Sequence, residues 1–177
     1  SENGHAPIVK LLLEAKADAN AARKTDGLTS LMLAAKNGHA ETVKLLLDAK
    51  ADDNAACETG GSTALMAASE NGHAPIVKLL LEAKADVNAA GKTDGGTSLM
   101  MASLSGHTEI VKLLLEAKAD VNAALKTDGG TSLMAASQNG HAPIVKLLLD
   151  AKADVNAARK TDDGTSLMMA SQNGHAE

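Results

Sequence analysis

The chain has 177 residues, carries a formal net charge of -5 and contains no Phe, Tyr or Trp. The acidic balance argues against a nucleic-acid surface, which needs clustered Lys and Arg, and no apolar run reaches the length of a membrane span. The single cysteine, Cys57, excludes an internal disulfide and a thiolate metal cage. These bounds predict a cytoplasmic protein whose core is built from Leu, Ile, Val, Met and Ala.

The sequence repeats itself with a period of 34 residues. The segments Asn71–Leu104 and Asn139–Gln172 differ at only four of 34 positions. Such self-similarity is the signature of a repeat array. We therefore predict that residues 1–177 form one array of five 34-residue periods with a half-repeat at each end. A Gly-His pair marks each period, beginning at Gly4, Gly38, Gly72, Gly106, Gly140 and Gly174.

Each period predicts two short helices joined by a tight turn and followed by a longer loop. In chain order, Gly72 opens the turn, Pro75 suits the first turn of a helix, and apolar residues at helical spacing continue through Ile76–Ala83. The stretch 86–96 is rich in Asp, Asn, Thr and Gly, which predicts an extended loop with a turn at Asp94-Gly95. Thr97 is then placed to cap the next helix, which runs over 98–103.

At this point the residues resemble the ankyrin repeat family. The pattern is Thr-x-Leu-x-x-Ala-x-x-x-Gly-His, then Ile-Val-Lys-Leu-Leu-Leu-Glu-Ala, then Ala-Asp-Val-Asn-Ala, and residues 97–123 show it most cleanly. The resemblance recurs in register over the whole chain. It implies an all-α solenoid of stacked helix–turn–helix units with hairpin-like loops along one edge. We call the helix after the capping Thr the first helix of a repeat, and the helix after Gly-His the second.

The chain departs from the family pattern in three ways. The first helix begins Thr-Ser-Leu-Met, as at Thr97, where the family has Thr-Pro-Leu-His. The loop is one residue longer than in the usual 33-residue repeat. A lysine stands where the family has Gly after the second helix, and a left-handed backbone there would cost about 1 kcal/mol for each lysine. These lysines are Lys16, Lys50, Lys84, Lys118 and Lys152.

A partner-binding surface is predicted by the positions that vary between repeats. The resemblance implies that these positions face a concave groove, and two interpretations stay open: a surface diversified for a partner protein, or drift at exposed sites. Met101, Leu104, Leu125 and Met169 favour the first, as exposed hydrophobic residues on one face. The candidate partner-binding residues are Arg23, Leu28, Leu33, Lys36, Cys57, Ser62, Ala67, Glu70, Gly91, Met101, Leu104, Leu125, Ala135, Gln138, Arg159, Met169 and Gln172.

The repeats also alternate. Where the variable first-helix residue is bulky, the following second helix carries Glu, and where it is Ala, the second helix carries Pro. The true repeat unit could therefore be two repeats, or 68 residues, through duplication or selection. The groove should therefore alternate between bulky and small side chains. The bulky set is Leu33, Met101 and Met169 with Glu41, Glu109 and Glu177; the small set is Ala67 and Ala135 with Pro75 and Pro143.

No pattern in the sequence predicts a catalytic residue, a cofactor site or a metal site. No general base that could activate Cys57 is found in its repeat alone, and a pair of carboxylates recurs at the same two positions in every repeat. Each repeat has one histidine at the same position. Histidines of neighbouring repeats are too far apart to bind one metal ion, whose ligands lie about 2 Å from it. We interpret these histidines as structural, bonding the turn between helices. They are His5, His39, His73, His107, His141 and His175.

The function predicted is a non-enzymatic protein–protein interaction module that holds a folded partner protein in the groove. The alternative is a spacer that assembles head to tail, because no polar capping repeat is visible and the two half-repeats complement each other. A longer chain would also explain the missing caps. The near-identity of the repeats fits a recently duplicated or an engineered sequence. No nucleic acid, membrane or cofactor is expected as a partner.

Overall fold

The computed structural model describes residues 5–174, which form ten helices and no strand within that range. This confirms the all-α repeat solenoid. The predictions at His175 and Glu177 lie outside the described residues. The helices are α1 (Ala6–Glu14), α2 (Ser30–Lys36), α3 (Ala40–Asp48), α4 (Ala64–Glu70), α5 (Ala74–Glu82), α6 (Ser98–Ser105), α7 (Thr108–Glu116), α8 (Ser132–Gln138), α9 (Ala142–Asp150) and α10 (Ser166–Gln172). The even-numbered helices are first helices, and the odd-numbered ones are second helices.

Every first helix in the described range begins at a threonine cap. The Thr97 side chain accepts a hydrogen bond from the backbone N–H of Met100 at 3.4 Å, and Thr29, Thr63, Thr131 and Thr165 make the same bond. Each cap satisfies one of the backbone N–H groups that a helix start leaves without a partner. The predicted capping is confirmed, and it holds without the Pro and His of the family pattern.

Left-handed residues end the helices. Gly72 has a φ of 79° after α4, and Lys84 has a φ of 78° after α5. The conformation at Lys84 lets the N–H of Ala85 turn back to the carbonyl of Leu80 at 3.0 Å, which satisfies the end of the helix. All five lysines adopt the left-handed region that the family's glycine would occupy, with φ between 63° and 78°.

The loops form short hairpins that are joined along the edge of the stack. In the third loop, Gly91 donates its N–H to Gly96 O at 2.9 Å, and Gly95 turns the chain with a φ of 76°. Neighbouring loops share a backbone hydrogen bond, such as the one from Lys126 N to Asp94 O at 2.7 Å. The predicted turn at Asp94-Gly95 is therefore confirmed, and each hairpin is fixed relative to the next.

The first helices pack more closely on one another than the second helices do. Ala68, Ala102 and Ala136 are fully buried between first helices, whereas Leu80 and Leu114 fill the equivalent space between second helices. Small side chains let the first helices approach one another more closely than the second helices do. None of the helices among residues 5–174 is long and apolar enough to cross a membrane.

Candidate functional site: the inner face

We call the surface formed by the first helices and the hairpin loops the inner face. Between α6, α8 and α10 it contains a depression of about 290 Å³. Seven of the sequence-predicted positions line this depression, although they come from three different repeats. They are Met101, Leu104, Leu125, Ala135, Gln138, Arg159 and Met169.

The floor and walls of the depression are mainly methionine and leucine. Met100 and Met134 are buried beneath it, while Leu104 is 50% exposed at its edge. Ala135 lies between Met101 of the preceding repeat and Met169 of the following one, and its small side chain leaves the depression open. The predicted alternation of bulky and small residues is thus present here.

The expected exposure of Met169 is wrong. Its side chain is only 6% exposed, because it lies in the wall of the depression among Met134, Ala135 and Arg159. Met101 and Leu125 are partly exposed, and only Leu104 has the open position expected for all four residues. Inspection of one repeat could not show this, because the covering residues belong to the neighbouring repeat.

Cys57 is also buried, with 6% of its surface exposed. Its Sγ accepts a hydrogen bond from the backbone N–H of Ser62 at 3.3 Å and lies 3.9 Å from the Thr59 hydroxyl. Burial raises the pKa of the thiol, but these bonds and the Gly60 and Gly61 backbone outweigh it and hold the pKa below its usual value. The thiol therefore stabilises its own hairpin and is not presented to a partner.

The loop carboxylates differ in their charge partners. Asp26 and Asp162 pair with an arginine three residues earlier, Arg23 and Arg159 respectively. The hydrogen bond from that arginine lowers the pKa of each carboxyl. The third and fourth loops have Gly91 and Leu125 in place of the arginine.

Asp94 and Asp128 consequently have no ion-pair partner in the part of the chain that the structure describes. Each accepts a hydrogen bond only from a backbone N–H of its own turn, from Gly96 and Gly130 at 2.9 Å. The nearby Lys126 ammonium donates to the carbonyls of Gly91 and Lys92 instead. Both carboxylates border the depression.

Besides Gly130 and Thr131, four residues that line the depression were not predicted from the sequence: Met100, Met134, Asp94 and Asp128. They are the same, or nearly so, in every repeat, and the comparison of repeats selected positions that vary. The two aspartates could have been found from the loss of an arginine three residues earlier, at Gly91 and Leu125.

The other predicted positions lie outside the depression. Arg23 binds Asp26, Leu28 packs on the core, and Cys57 and Gly91 are buried. Leu33, Lys36, Glu70 and Gln172 are exposed, and Ser62 and Ala67 are partly exposed.

The structural interpretation of the histidines is confirmed for His73, His107 and His141. The Nε2 atom of His107 lies 3.1 Å from the carbonyl oxygen of Glu70, and the other two contact Lys36 and Leu104 in the same way. Each bond reaches the end of the first helix of the preceding repeat, so the histidine links two repeats. Within residues 5–174, no group of three or more metal-binding side chains is close enough to hold an ion.

One family of known proteins matches the chain. The family described as Ankyrin repeats (3 copies) matches residues 1–91, 53–125 and 99–177, so that the matches together extend over the whole sequence. No curated protein matches it at significant similarity.

Proposed function

Because the chain belongs to the ankyrin repeat family, whose repeats are generally protein–protein interaction modules, we propose that it binds a partner protein through its inner face. The observation that carries this proposal is the convergence of seven diversified positions on one apolar depression. Convergence of varied residues is expected of a recognition surface, whereas drift would scatter them. The role is non-catalytic, and its proposed location is the cytoplasm.

The test compares capture of partner proteins by two variants. Leu104→Asp combined with Leu125→Asp places charge on the inner face at one exposed and one partly exposed residue, so we expect folding to be retained. Leu149→Asp, at an exposed leucine of α9, serves as the control. We expect a partner crosslinked to the parent chain to be lost from the double variant and kept by the control. Equal capture by all three proteins would contradict the proposal.

A second candidate function is favoured by the exposed apolar faces of α1 and α10. Leu167 of α10 is 75% exposed, whereas the equivalent Leu133 of α8 is 3% exposed. Leu12 of α1 is 54% exposed, and the equivalent Leu80 of α5 is fully buried. In each internal repeat a first helix packs on a second helix, so α10 of one copy offers α1 of another copy the surface it lacks. This polypeptide could therefore act as a spacer that assembles head to tail.

Light scattering behind a sizing column tests the assembly. A mass that rises with concentration above 17.9 kDa is expected from head-to-tail stacking. Leu12→Asp blocks one face and Leu167→Asp blocks the other, so each variant alone should stay monomeric and their mixture should form only dimers. A constant mass of the parent chain would exclude the spacer and leave the inner face as the working surface.

A further inference from the structure

The inner face is chemically asymmetric at its centre. The first and last described loops neutralise their aspartate with an arginine, whereas the third and fourth loops leave Asp94 and Asp128 without a cation. One of the two replacements, Leu125, adds apolar surface to the same depression. Negative charge and apolar surface are therefore combined at one place on the array.

The remaining hydrogen-bonding capacity of the two carboxylates points to a basic group. A carboxylate offers about four lone-pair sites, and one oxygen of each aspartate already accepts a backbone N–H. An arginine or lysine supplied by another molecule would meet an unneutralised charge here. The single cation among the lining residues, Arg159, is held by Asp162.

The size and lining of the depression point to an aromatic side chain. Its volume of about 290 Å³ lies at the lower limit of small-molecule sites, which occupy roughly 300–1,000 Å³, so it suits a side chain better than a large ligand. Methionine adapts its shape and makes favourable contacts with aromatic rings. The chain has no aromatic residue, so the ring must come from a partner.

We propose that this depression receives an aromatic side chain of a partner protein, and that a basic residue beside that side chain pairs with Asp94 and Asp128. The proposal rests on the proposed function, since it names the chemistry of the segment that the inner face recognises. Ala135 sets the specificity, because its small side chain keeps the depression open between Met101 and Met169.

Because the chain has no Phe, Tyr or Trp, binding of a tryptophan peptide can be measured directly by fluorescence. The probe is the synthetic peptide Gly-Arg-Trp-Arg-Gly, whose tryptophan emission has no background from the protein. The peptide Gly-Glu-Trp-Glu-Gly, with the charges reversed, is the comparison. We expect the basic peptide to show a blue-shifted emission and a dissociation constant below about 1 mM, and the acidic peptide to bind at least about tenfold more weakly.

Two substitutions with matched controls assign the site. Ala135→Met fills the depression with a residue that the equivalent position already accepts at Met101, and Ala67→Met makes the same change outside it. Asp94→Asn with Asp128→Asn removes the charges while keeping an acceptor for each turn. Asp26→Asn is their control, because Asp26 has the same turn bond to Leu28 but lies away from the depression.

Ala135→Met should weaken binding of the basic peptide by about tenfold, which is the loss expected when a large apolar side chain is no longer buried. The double Asn variant should bind the basic peptide about fivefold more weakly, and that affinity should depend less on salt concentration. Each control should change affinity by less than about twofold.

Equal weakening by Ala67→Met and Ala135→Met, or equal binding of both peptides, would overturn the proposal. So would the absence of any emission change. If the crosslinked partner still depends on Leu104 and Leu125 in that case, the inner face remains the binding surface and only the basic aromatic chemistry is wrong.

Discussion

The five lysines after the second helices occupy a backbone region that glycine adopts without strain. A Cβ atom in the left-handed region comes too close to the backbone, at a cost of about 1 kcal/mol. The chain thus carries a repeated strain at the same point of each described repeat, and the strain is local to one residue.

Lys84→Gly should therefore raise the free energy of unfolding by about 1 kcal/mol. Lys78→Gly is the control, because Lys78 is exposed in the middle of α5, where glycine should lower stability by about 1 kcal/mol. Chemical denaturation of both variants measures these two changes in the free energy of unfolding. A loss of stability in Lys84→Gly would mean that the lysine side chain makes a compensating contact.

Asp53 occupies a position that is Val87 or Val121 in the following repeats. Burial, and then the charge of Asp52, raises its pKa. Because the folded state then binds the proton more tightly than the unfolded state does, ionised Asp53 opposes folding at neutral pH. The unfavourable contribution of Asp53 should diminish as the pH falls through its raised pKa, and it should be gone below the unfolded value of about 3.9.

Asp53→Val should stabilise the protein by about 1 kcal/mol at pH 7, through partial burial of a valine and loss of the charge. The stability gained by acidification should disappear with it. Urea denaturation at pH 7 and pH 4 measures both effects. The reverse change in the next repeat, Val87→Asp, should create the same pH dependence. If the parent chain compares better with Asp53→Val at pH 7 than at pH 4, this account is contradicted.

At the scale of helices, each observed histidine link joins the beginning of a second helix to the end of the first helix of the preceding repeat. The His107 ring lies against Gly72, where a Cβ would come within 2.7 Å of the ring, and its Nε2 reaches Glu70 O at 3.1 Å. A side chain at the start of α7 thereby supplies a partner to the carbonyl end of α4. Helix ends leave such carbonyls without an internal partner.

His107→Ala should lower the free energy of unfolding by about 1 kcal/mol, the usual contribution of one hydrogen bond. His5→Ala is the control, because His5 also precedes a second helix but its ring contacts no acceptor among residues 5–174. Thermal or urea denaturation should show a small effect for the control. Equal losses in the two variants would show that the ring acts only through its own helix.

At the scale of the molecule, burial is greatest in the middle of the stack. Leu80 and Leu114 are fully buried by repeats on both sides, whereas Leu12 and Leu167 are more than half exposed. Stability in such an array is approximately a sum of repeat and interface contributions. We propose that the described residues form one array that opens from its ends.

Amide hydrogen exchange should accordingly be slowest in α4 to α7 and fastest in α1 and α10. Mass spectrometry of peptides from each repeat measures this gradient, and the near-identical repeats serve as controls for one another. Uniform protection along the array would mean that all repeats unfold in a single step.

The helices, their threonine caps and the hairpin turns could be predicted because they depend on residues close together in the sequence. The cap at Thr97 needs only Met100, and the turn at Gly95 needs only its own loop. The repeat period made each such prediction apply five times. The left-handed conformation of the lysines was left conditional by the sequence, because lysine, unlike glycine, does not itself favour that region.

The amino-acid sequence by itself determined the repeat, the family and the positions that vary on the inner face. Only the tertiary structure decided that Met169 is covered, that seven variable residues share one depression, and that His107 bonds a preceding repeat. These properties depend on how one repeat lies on the next. The closeness of that packing is set by side-chain volume across the interface, which spacing along the chain does not encode.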